Sequence, residues 1–545
     1  MMDGTAVAEN QTVRDRLRHW AKVQPEKNFL QCGGDWLTYA RVYEHVQSLA
    51  GNLQRLGVAK GQQIAFLLPN RLEFALLFLA AAELGVLQVP LNPYLKGEFL
   101  RHQLADSGAS TLVTDGAGIE QIRGLRERFP ELQRIVLLDS TGPGQDPQTG
   151  GGVQVIPYEP LTVPADPPVE TPLAPGDLCS IMYTSGTTGL PKGCMMSNGY
   201  YLNISQQLIE AGWIRHDDVL LTAYQLFHTS GQIYGVTNVL NVGASLVLES
   251  RFSASRQMAR VRETGATVIY GSGAMGLAIL AQPRHPDDSA NKLRLAMWLP
   301  MPADKQVEFE SRFATQVSSE TYGQTEVLIP SMTRLSDTRR PGTAGRISPH
   351  FDVRLIDDEE REVPLGSVGE ITVRPRRAFG MFSGYWRNPE ATAHAWRNLW
   401  HHTGDSARAD ADGYLTFADR KKDSLRRRGE NVSSMELEQA ILAHPDVAEV
   451  AVHAVKSELS EDDIKACVVP RAGADPLEPK ELFEFFRKHL PYFAIPRYLD
   501  IRAELPRNHM GRVLKFQLVE SGVTSDTWDF DAMDLVIPRE ERRNT

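Results

Sequence analysis

The chain has 545 residues, 42% of them apolar and 23% charged, with 58 Lys and Arg against 68 Asp and Glu for a formal net charge of −10. That length is too great for one compact core and predicts at least two domains, while the acidic balance excludes the basic footprint of a nucleic-acid-binding protein. The four cysteines (Cys32, Cys179, Cys194 and Cys467) are scattered with no CxxC pair, so reduced thiols in a cytoplasmic protein are expected rather than a disulfide framework or a zinc site.

In chain order, the opening MMDGTAVAENQTV is polar and lacks the charged-then-apolar layout of a signal peptide. A helical stretch at 41–57 leads to an apolar strand, QIAFLLP (63–69), and then to FALLFLAAA (74–82), flanked by Glu73 and Glu83. The latter is too short for a membrane span, which needs ~20 residues, and predicts a buried helix. Further strand-like runs follow at STLVTD (110–115), RIVLLD (134–139), LCSIMY (178–183), SLVLES (245–250), ATVIYG (266–271) and LRLAMWL (293–299). Strands alternating with helical segments predict an α/β domain with parallel sheets covered on both faces. Pro/Gly-rich stretches at 141–152 and 164–176 read as an exposed connection within it. A charge run at 418–433 precedes a smaller pattern of helix (435–444), strand (449–455), strand (464–470) and helix (479–490), a compact α+β domain.

The segment YTSGTTGLPKG (183–193) follows a predicted strand and is rich in glycine, hydroxyls and one lysine. Glycines let amides approach an anion, and hydroxyls and an ammonium add donors, so the loop reads as a phosphate binder. It is not the P-loop GxxxxGK[ST], because Lys192 stands between Pro191 and Gly193. A second Gly-rich segment, YGSGAMG (270–276), contains GxGxxG after a strand, with Asp287 further on, and raises a dinucleotide site as a rival. GxSxG and HExxH are missing, against a serine hydrolase or a metalloprotease. His401 and His402 beside Asp405 raise a metal cluster.

Eight more segments join the loop in order: YQLFHTSG (224–231), YGQTE (322–326), PGTAGR (341–346), GEITVRP (369–375), GYWRNPEAT (384–392), HTGD (402–405), YLTFADRKKD (414–423) and RGENVSSMELE (428–438). Together they resemble the adenylate-forming superfamily in its acyl-CoA ligase branch, with the flavour of the crotonobetaine/carnitine-CoA ligase-like group, over residues ~12 to ~530. The resemblance implies a large acyl- and AMP-binding domain, residues 1–420, and a mobile small domain, residues 421–545. It implies two steps: a carboxylic acid and ATP form acyl-AMP and pyrophosphate, and coenzyme A then displaces AMP. Charge at the phosphates must be offset by donors and a divalent cation, Mg2+.

The resemblance places Thr184, Ser185, Gly186, Thr187, Thr188, Gly189 and Lys192 at the β- and γ-phosphates. It puts Tyr322 with Gly323 against adenine, Thr325 at the α-phosphate, Glu326 on magnesium and Asp405 on the ribose hydroxyls, with Phe417 and Arg420 beside the nucleotide. His228 falls near the acyl and thiol sites, Lys422 at the domain hinge, and Arg428, Gly429 and Glu430 along the pantetheine tunnel. Arg426, Arg427 and Arg428 either meet coenzyme A phosphates or form a solvated basic face. Gly271, Ser272, Gly273 and Ala274 fall at the acyl pocket, where small residues would widen it for a bulky acid.

Two segments depart from the family pattern. PRNHMGR (506–512) puts Arg512 where the adenylation lysine is expected, and AMWLPMPAD (296–304) puts Trp298 and Leu299 where glycines usually leave room. A planar guanidinium does not replace a compact ammonium in a tight site, and Lys515 lies three residues away. The expectation is an acyl-CoA ligase that retains thioester formation while adenylation is weak or absent, the acyl-adenylate coming from a separate enzyme. A full two-step synthetase, a carrier-protein-loading enzyme and a catalytically silent acyl-nucleotide binder stay open. No membrane span and no nucleic-acid partner are expected, and a homodimer is compatible with the sequence.

Overall fold

The computed structural model describes residues 10–123, 129–139, 153–184, 190–420, 424–428, 430–457, 461–474, 476–507 and 513–537. Two seven-stranded sheets carry the large domain. One runs in the order Gln316–Ser318, Leu295–Leu299, Val268–Ser272, Val219–Thr222, Ser245–Leu248, Asn28–Gln31, Leu37–Thr38, parallel except for the last pair. The other runs Gln154–Pro157, Arg134–Leu137, Thr111–Thr114, Gln63–Leu67, Leu87–Leu91, Leu178–Thr184, Lys192–Ser197, again parallel up to a final antiparallel pair. That final pair flanks the phosphate-loop segment, so the chain turns back on itself there instead of running into a helix. Strands buried on both faces read as unbroken apolar runs, which is why these segments were visible as QIAFLLP and LCSIMY.

The helix Leu72–Leu84 is buried from Phe74 onward, and Gly85 ends it with φ of 70°. A helix apolar all round belongs in a core, and it shares one with the helices Tyr39–Arg55 and Asn198–Glu210. Its one buried charge, Glu83, is met by Arg18 from the helix Val13–Val23. Among the described residues no helix is long and apolar enough to cross a membrane. A four-stranded antiparallel sheet (Phe351–Ile356, Gly369–Pro375, His401–Ala409, Leu415–Arg420) and a three-stranded one (Thr321–Gln324, Val327–Met332, Arg346–Ile347) complete the large domain.

The small α+β domain opens with the hairpin Ser424–Arg427 and Glu430–Ser433. A four-stranded sheet follows (Val447–Lys456, Asp462–Pro470, Tyr498–Ile501, Trp528–Asp529), covered by the helices Ser434–Leu442 and Pro479–His489. The sequence assigned no role to residues 526–545, yet part of that segment builds this domain. Trp528–Asp529 pairs antiparallel with Tyr498–Ile501, and Phe530 packs on Phe483 at 5.1 Å and on Phe486. Arg497 holds Asp529 at 3.0 Å, and the fully buried Lys465 is satisfied by Gly522 O at 2.6 Å, Thr527 Oγ1 at 3.0 Å and Asp500 at 2.8 Å. Removing a buried phenyl ring costs ~3–5 kcal/mol. Phe530→Ala is therefore expected to strip hydrogen-exchange protection from Tyr498–Ile501 while leaving Leu178–Thr184 protected, a contrast that peptide-resolved exchange reads directly.

Candidate active site

A cavity of about 870 Å³ lies where the small domain meets the large one, within the ~300–1,000 Å³ typical of small-molecule sites. Its walls come from the strand ends around the phosphate-loop segment, from the loops at 224–230 and 323–328, from the 385–405 region and from the hairpin of the small domain.

At one end Asp405 is almost fully buried. The Tyr322 hydroxyl donates to its Oδ2 at 2.7 Å and Gln324 Nε2 donates at 3.3 Å, while Asp405 N donates to Thr403 Oγ1 at 3.2 Å. Burial, reinforced by Asp405, pushes the Tyr322 phenol well above its ordinary range and keeps it a donor. Gln324 is held in turn by His401, whose Nε2 lies 3.1 Å from Gln324 Oε1. Burial pushes His401 down to about 3, with His402 adding to the shift. The neutral ring therefore donates through Nε2, and its Nδ1 has no partner among the described residues. His401 fixes Gln324, His402 lines the cavity with its Nδ1 3.6 Å from Glu370, and no cluster of metal-ligating type is present among the described residues. Phe417 is exposed, its ring 6.3 Å from that of Tyr322, and Arg420 pairs backbone to backbone opposite Asp405.

The strand pair Thr321–Gln324 and Val327–Met332 shifts register between Tyr322 and Gln324. A Cβ on Gly323 would sit 2.8 Å from Ile329 N, and Ile329 itself has φ of 58°. A β-branched residue there is a genuine backbone outlier, and such strain with a bulge re-aims side chains next to sites. The bend brings Thr325 and Glu326 onto the cavity wall.

Facing them are Thr184 and Lys192, whose ammonium lies 4.7 Å from the centroid of the Tyr385 ring. The Tyr385 hydroxyl donates to Glu326 Oε1 at 2.8 Å. Burial first, then Glu326, drives that phenol far up, so it too remains a donor. Tyr385 thus touches both predicted phosphate-side groups. It stands in the quoted GYWRNPEAT without a role, and the signal that would have found it was the run of family segments rather than any local pattern.

On the domain-junction side, His228 Nε2 lies 3.1 Å from both Oε1 and Oε2 of Glu430, the carboxylate coming from the small-domain hairpin. Tyr94 meets Tyr492 edge-on at 5.5 Å across the same junction. His228 precedes a π-helical segment, Ser230–Thr237, a distortion frequent at functional sites.

The domain models of known families match in the same order. The AMP-binding enzyme model covers residues 17–386, and the AMP-binding enzyme C-terminal domain model covers 436–512. The chain belongs to the AMP-binding enzyme family. Its place is the CoA ligase branch, among the acid–thiol ligases. A crotonobetaine/carnitine–CoA ligase of Salmonella paratyphi A (strain ATCC 9150 / SARB42) is 31% identical over 530 residues, covering 94% of this chain and 99% of that protein. The anthranilate CoA ligase AuaEII in complex with anthranoyl-AMP is similar in structure, with a TM-score of 0.70, 26% identity, and 95% and 99% of the two chains covered. A double mutant of o-succinylbenzoate CoA synthetase (MenE) from Bacillus subtilis, bound to a product analogue, aligns with a TM-score of 0.79 at 25% identity, covering 94% and 99%.

In this ligase the structure gathers Thr184, Lys192, His228, Thr325, Glu326, Asp405 and Glu430 around one cavity. Ser185, Gly186, Thr187, Thr188, Gly189, Lys422, Gly429 and Arg512 lie outside the described residues. Arg427 corrects the expectation of a basic surface: it is buried, hydrogen-bonded to Ile495 O and 3.3 Å from Asp463, and burial lowers it to about 10. Arg428 is exposed, but its guanidinium turns to Tyr492 O at 3.3 Å.

The widened acyl pocket is also corrected. Gly271, Ser272, Gly273, Ala274, Trp298 and Leu299 do not line the cavity. A Cβ on Gly271 would lie 2.6 Å from Trp298 Cζ3, and one on Gly276 would lie 2.8 Å from Trp298 Cγ, so the buried indole fills the space these glycines leave. Gly273 abuts the Pro300 carbonyl, and Ser272 Oγ caps its own helix at Met275 N. The GxGxxG segment is a packed strand-to-helix turn with no opening for a pyrophosphate.

The depressed His401 sets an acid limit. The unfolded ring titrates near 6.5, so between there and about 3 the unfolded chain binds more protons and stability falls as pH drops. His401→Gln is expected to lose less in Tm than the parent between pH ~6.5 and ~4.5, measured by scanning calorimetry.

Proposed function

We propose that this ligase makes acyl-CoA thioesters from acyl-adenylates and is weak or deficient in forming the adenylate itself. The observation that carries the reading is the hairpin of the small domain closing on the cavity, with Glu430 against His228. In that arrangement the small domain contributes Glu430, Val432, Glu436, Phe493 and Ala494 to the wall. A thiol entering along the domain junction meets the cavity beside His228. The thiol sulfur attacks the acyl carbonyl, the C–S bond forms, the C–O bond to phosphate breaks, and AMP leaves from the Asp405 end. Lys192 and Thr184 face the departing phosphate, and His228 is placed to orient the thiol and take up its proton.

Glu326 fits a role toward Mg2+: its carboxylate is nine-tenths buried, faces the cavity and has one oxygen occupied by the neutral Tyr385 hydroxyl. A single carboxylate suits magnesium, which draws its other ligands from phosphate and water. The ion would supply charge neutralisation at the phosphates.

Weak adenylation is argued from Arg512, since the wide guanidinium fork stands where a compact ammonium is expected and a misplacement of ~1 Å can cost ~100-fold in rate. Lys515 is bound to Ser434 Oγ at 2.9 Å and Glu438 at 2.8 Å, which removes the nearest substitute in this arrangement. The full two-step synthetase is the second reading, favoured by the presence of Thr184, Lys192, Glu326 and Asp405 around the same cavity.

The half-reactions separate the readings. Preformed acyl-adenylate with coenzyme A is expected to give thioester, while acid with ATP releases pyrophosphate slowly and Arg512→Lys raises that release by up to ~100-fold. Pyrophosphate release by the parent at the rate of thioester formation would establish the two-step enzyme, and adenylate left unchanged would mean a silent binder. Glu430→Ala is expected to slow the thioester step by ~10-fold or more while leaving adenylate binding within about twofold, read by single-turnover mixing.

A further inference from the structure

The direction left open to the acyl group is defined by what surrounds the reacting carbon. That carbon must sit where the phosphate side (Lys192, Thr325, Glu326) meets the thiol side (His228, Glu430). The nucleotide occupies the Asp405 end and the thiol occupies the domain junction. Of the apolar lining, Pro90, Leu95 and Phe99 lie toward the domain junction, where Tyr94 meets Tyr492, whereas Tyr224, Phe227 and Leu328 lie on the same loops as His228 and Glu326, so the acyl chain is directed at these three.

That wall is closed from behind. Tyr224 stacks on Tyr270 with centroids 4.8 Å apart and planes 26° apart, and Tyr270 stacks on Tyr234 at 5.1 Å and 9°. Tyr270 and Tyr234 are both buried. On the opposite face of the same sheet, Trp298 pairs in register with Gly271, occupies the space over Gly271 and Gly276, and packs edge-on against Phe309 at 5.5 Å, so the strand that carries Tyr270 is itself held in place. Close-packed rings of this kind yield little, because shifting one displaces the next.

Resting on the reading above, we propose that the acid is compact: a short or branched chain, or a single ring, ending against Tyr224, with long straight chains excluded by the Tyr224–Tyr270–Tyr234 file. The file is the specificity determinant, and it acts by shape.

The test uses butyryl-, benzoyl- and dodecanoyl-adenylate with coenzyme A, which bypasses any weakness in adenylation. The parent is expected to favour butyryl and benzoyl over dodecanoyl by ~100-fold or more in kcat/KM, as several unplaced methylenes accumulate. Tyr224→Ala and Tyr270→Ala are each expected to raise the dodecanoyl-to-butyryl ratio by ~10-fold or more. Dodecanoyl turnover within threefold of butyryl in the parent would overturn the proposal. The same adenylates are also titrated calorimetrically without coenzyme A. A size preference in Kd without thioester would sink the ligase reading while sustaining the size limit; equal Kd values for all three would sink the size limit whatever the turnover.

Discussion

The site depends on carboxylates that are buried yet oriented by neutral donors. Glu326 is held by the Tyr385 hydroxyl, and Asp405 by Tyr322 and Gln324, with Gln324 fixed by an imidazole that burial keeps neutral. Taking a charge out of water is costly unless hydrogen bonds replace the lost solvation. Phenol and amide donors supply such bonds here. The elevated tyrosines are part of the same device, since a phenol that never ionises is always a donor.

This constraint explains the surrounding architecture. The donors and acceptors come from elements distant in sequence: Tyr322 and Asp405 lie 83 residues apart, and Tyr385 and Glu326 lie 59 apart. Bringing them together requires the antiparallel sheets to be pinned onto the large domain. The Tyr200 hydroxyl does part of this, donating to Thr325 O at 2.9 Å and accepting from Leu328 N at 3.0 Å. The backbone outlier at Ile329 and the close approach at Gly323 mark where packing forces the chain off its relaxed course so that Thr325 and Glu326 reach the cavity.

Much of this was legible in the sequence because its signals are local. Unbroken apolar runs announced the parallel strands, FALLFLAAA announced a core helix, and the ordered segments announced the family and the lining residues Thr184, Lys192, Glu326 and Asp405. What the sequence hid was decided by neighbours far along the chain. Gly271 read as empty space, but whether a glycine opens a pocket or seats a ring depends on the strand beside it, here the one carrying Trp298. Arg427 read as one of three cations facing solvent or coenzyme A phosphates, yet its place beside the turn of the hairpin buries it against Ile495 and Asp463. The closing strand Trp528–Asp529 is two residues long and has no periodicity to detect; only its partner Tyr498–Ile501 defines it.

In the proposed function, the departure at Arg512 belongs to a single half-reaction. The described residues on either side of it, Arg507 and Val513, pair with each other, and Val513 packs against a cluster that includes Cys467 and Leu518 within the small domain. Neither lines the cavity, whereas the hairpin does. On the proposed reading, groups on the hairpin and groups near residue 512 act in different arrangements of the two domains. A substitution at 512 then alters the step in which that segment is engaged and leaves the hairpin contact, Glu430 with His228, free to serve the other. Thioester formation can on this argument persist unimpaired where adenylation has decayed, because the two steps share the cavity but not the face of the small domain that completes it.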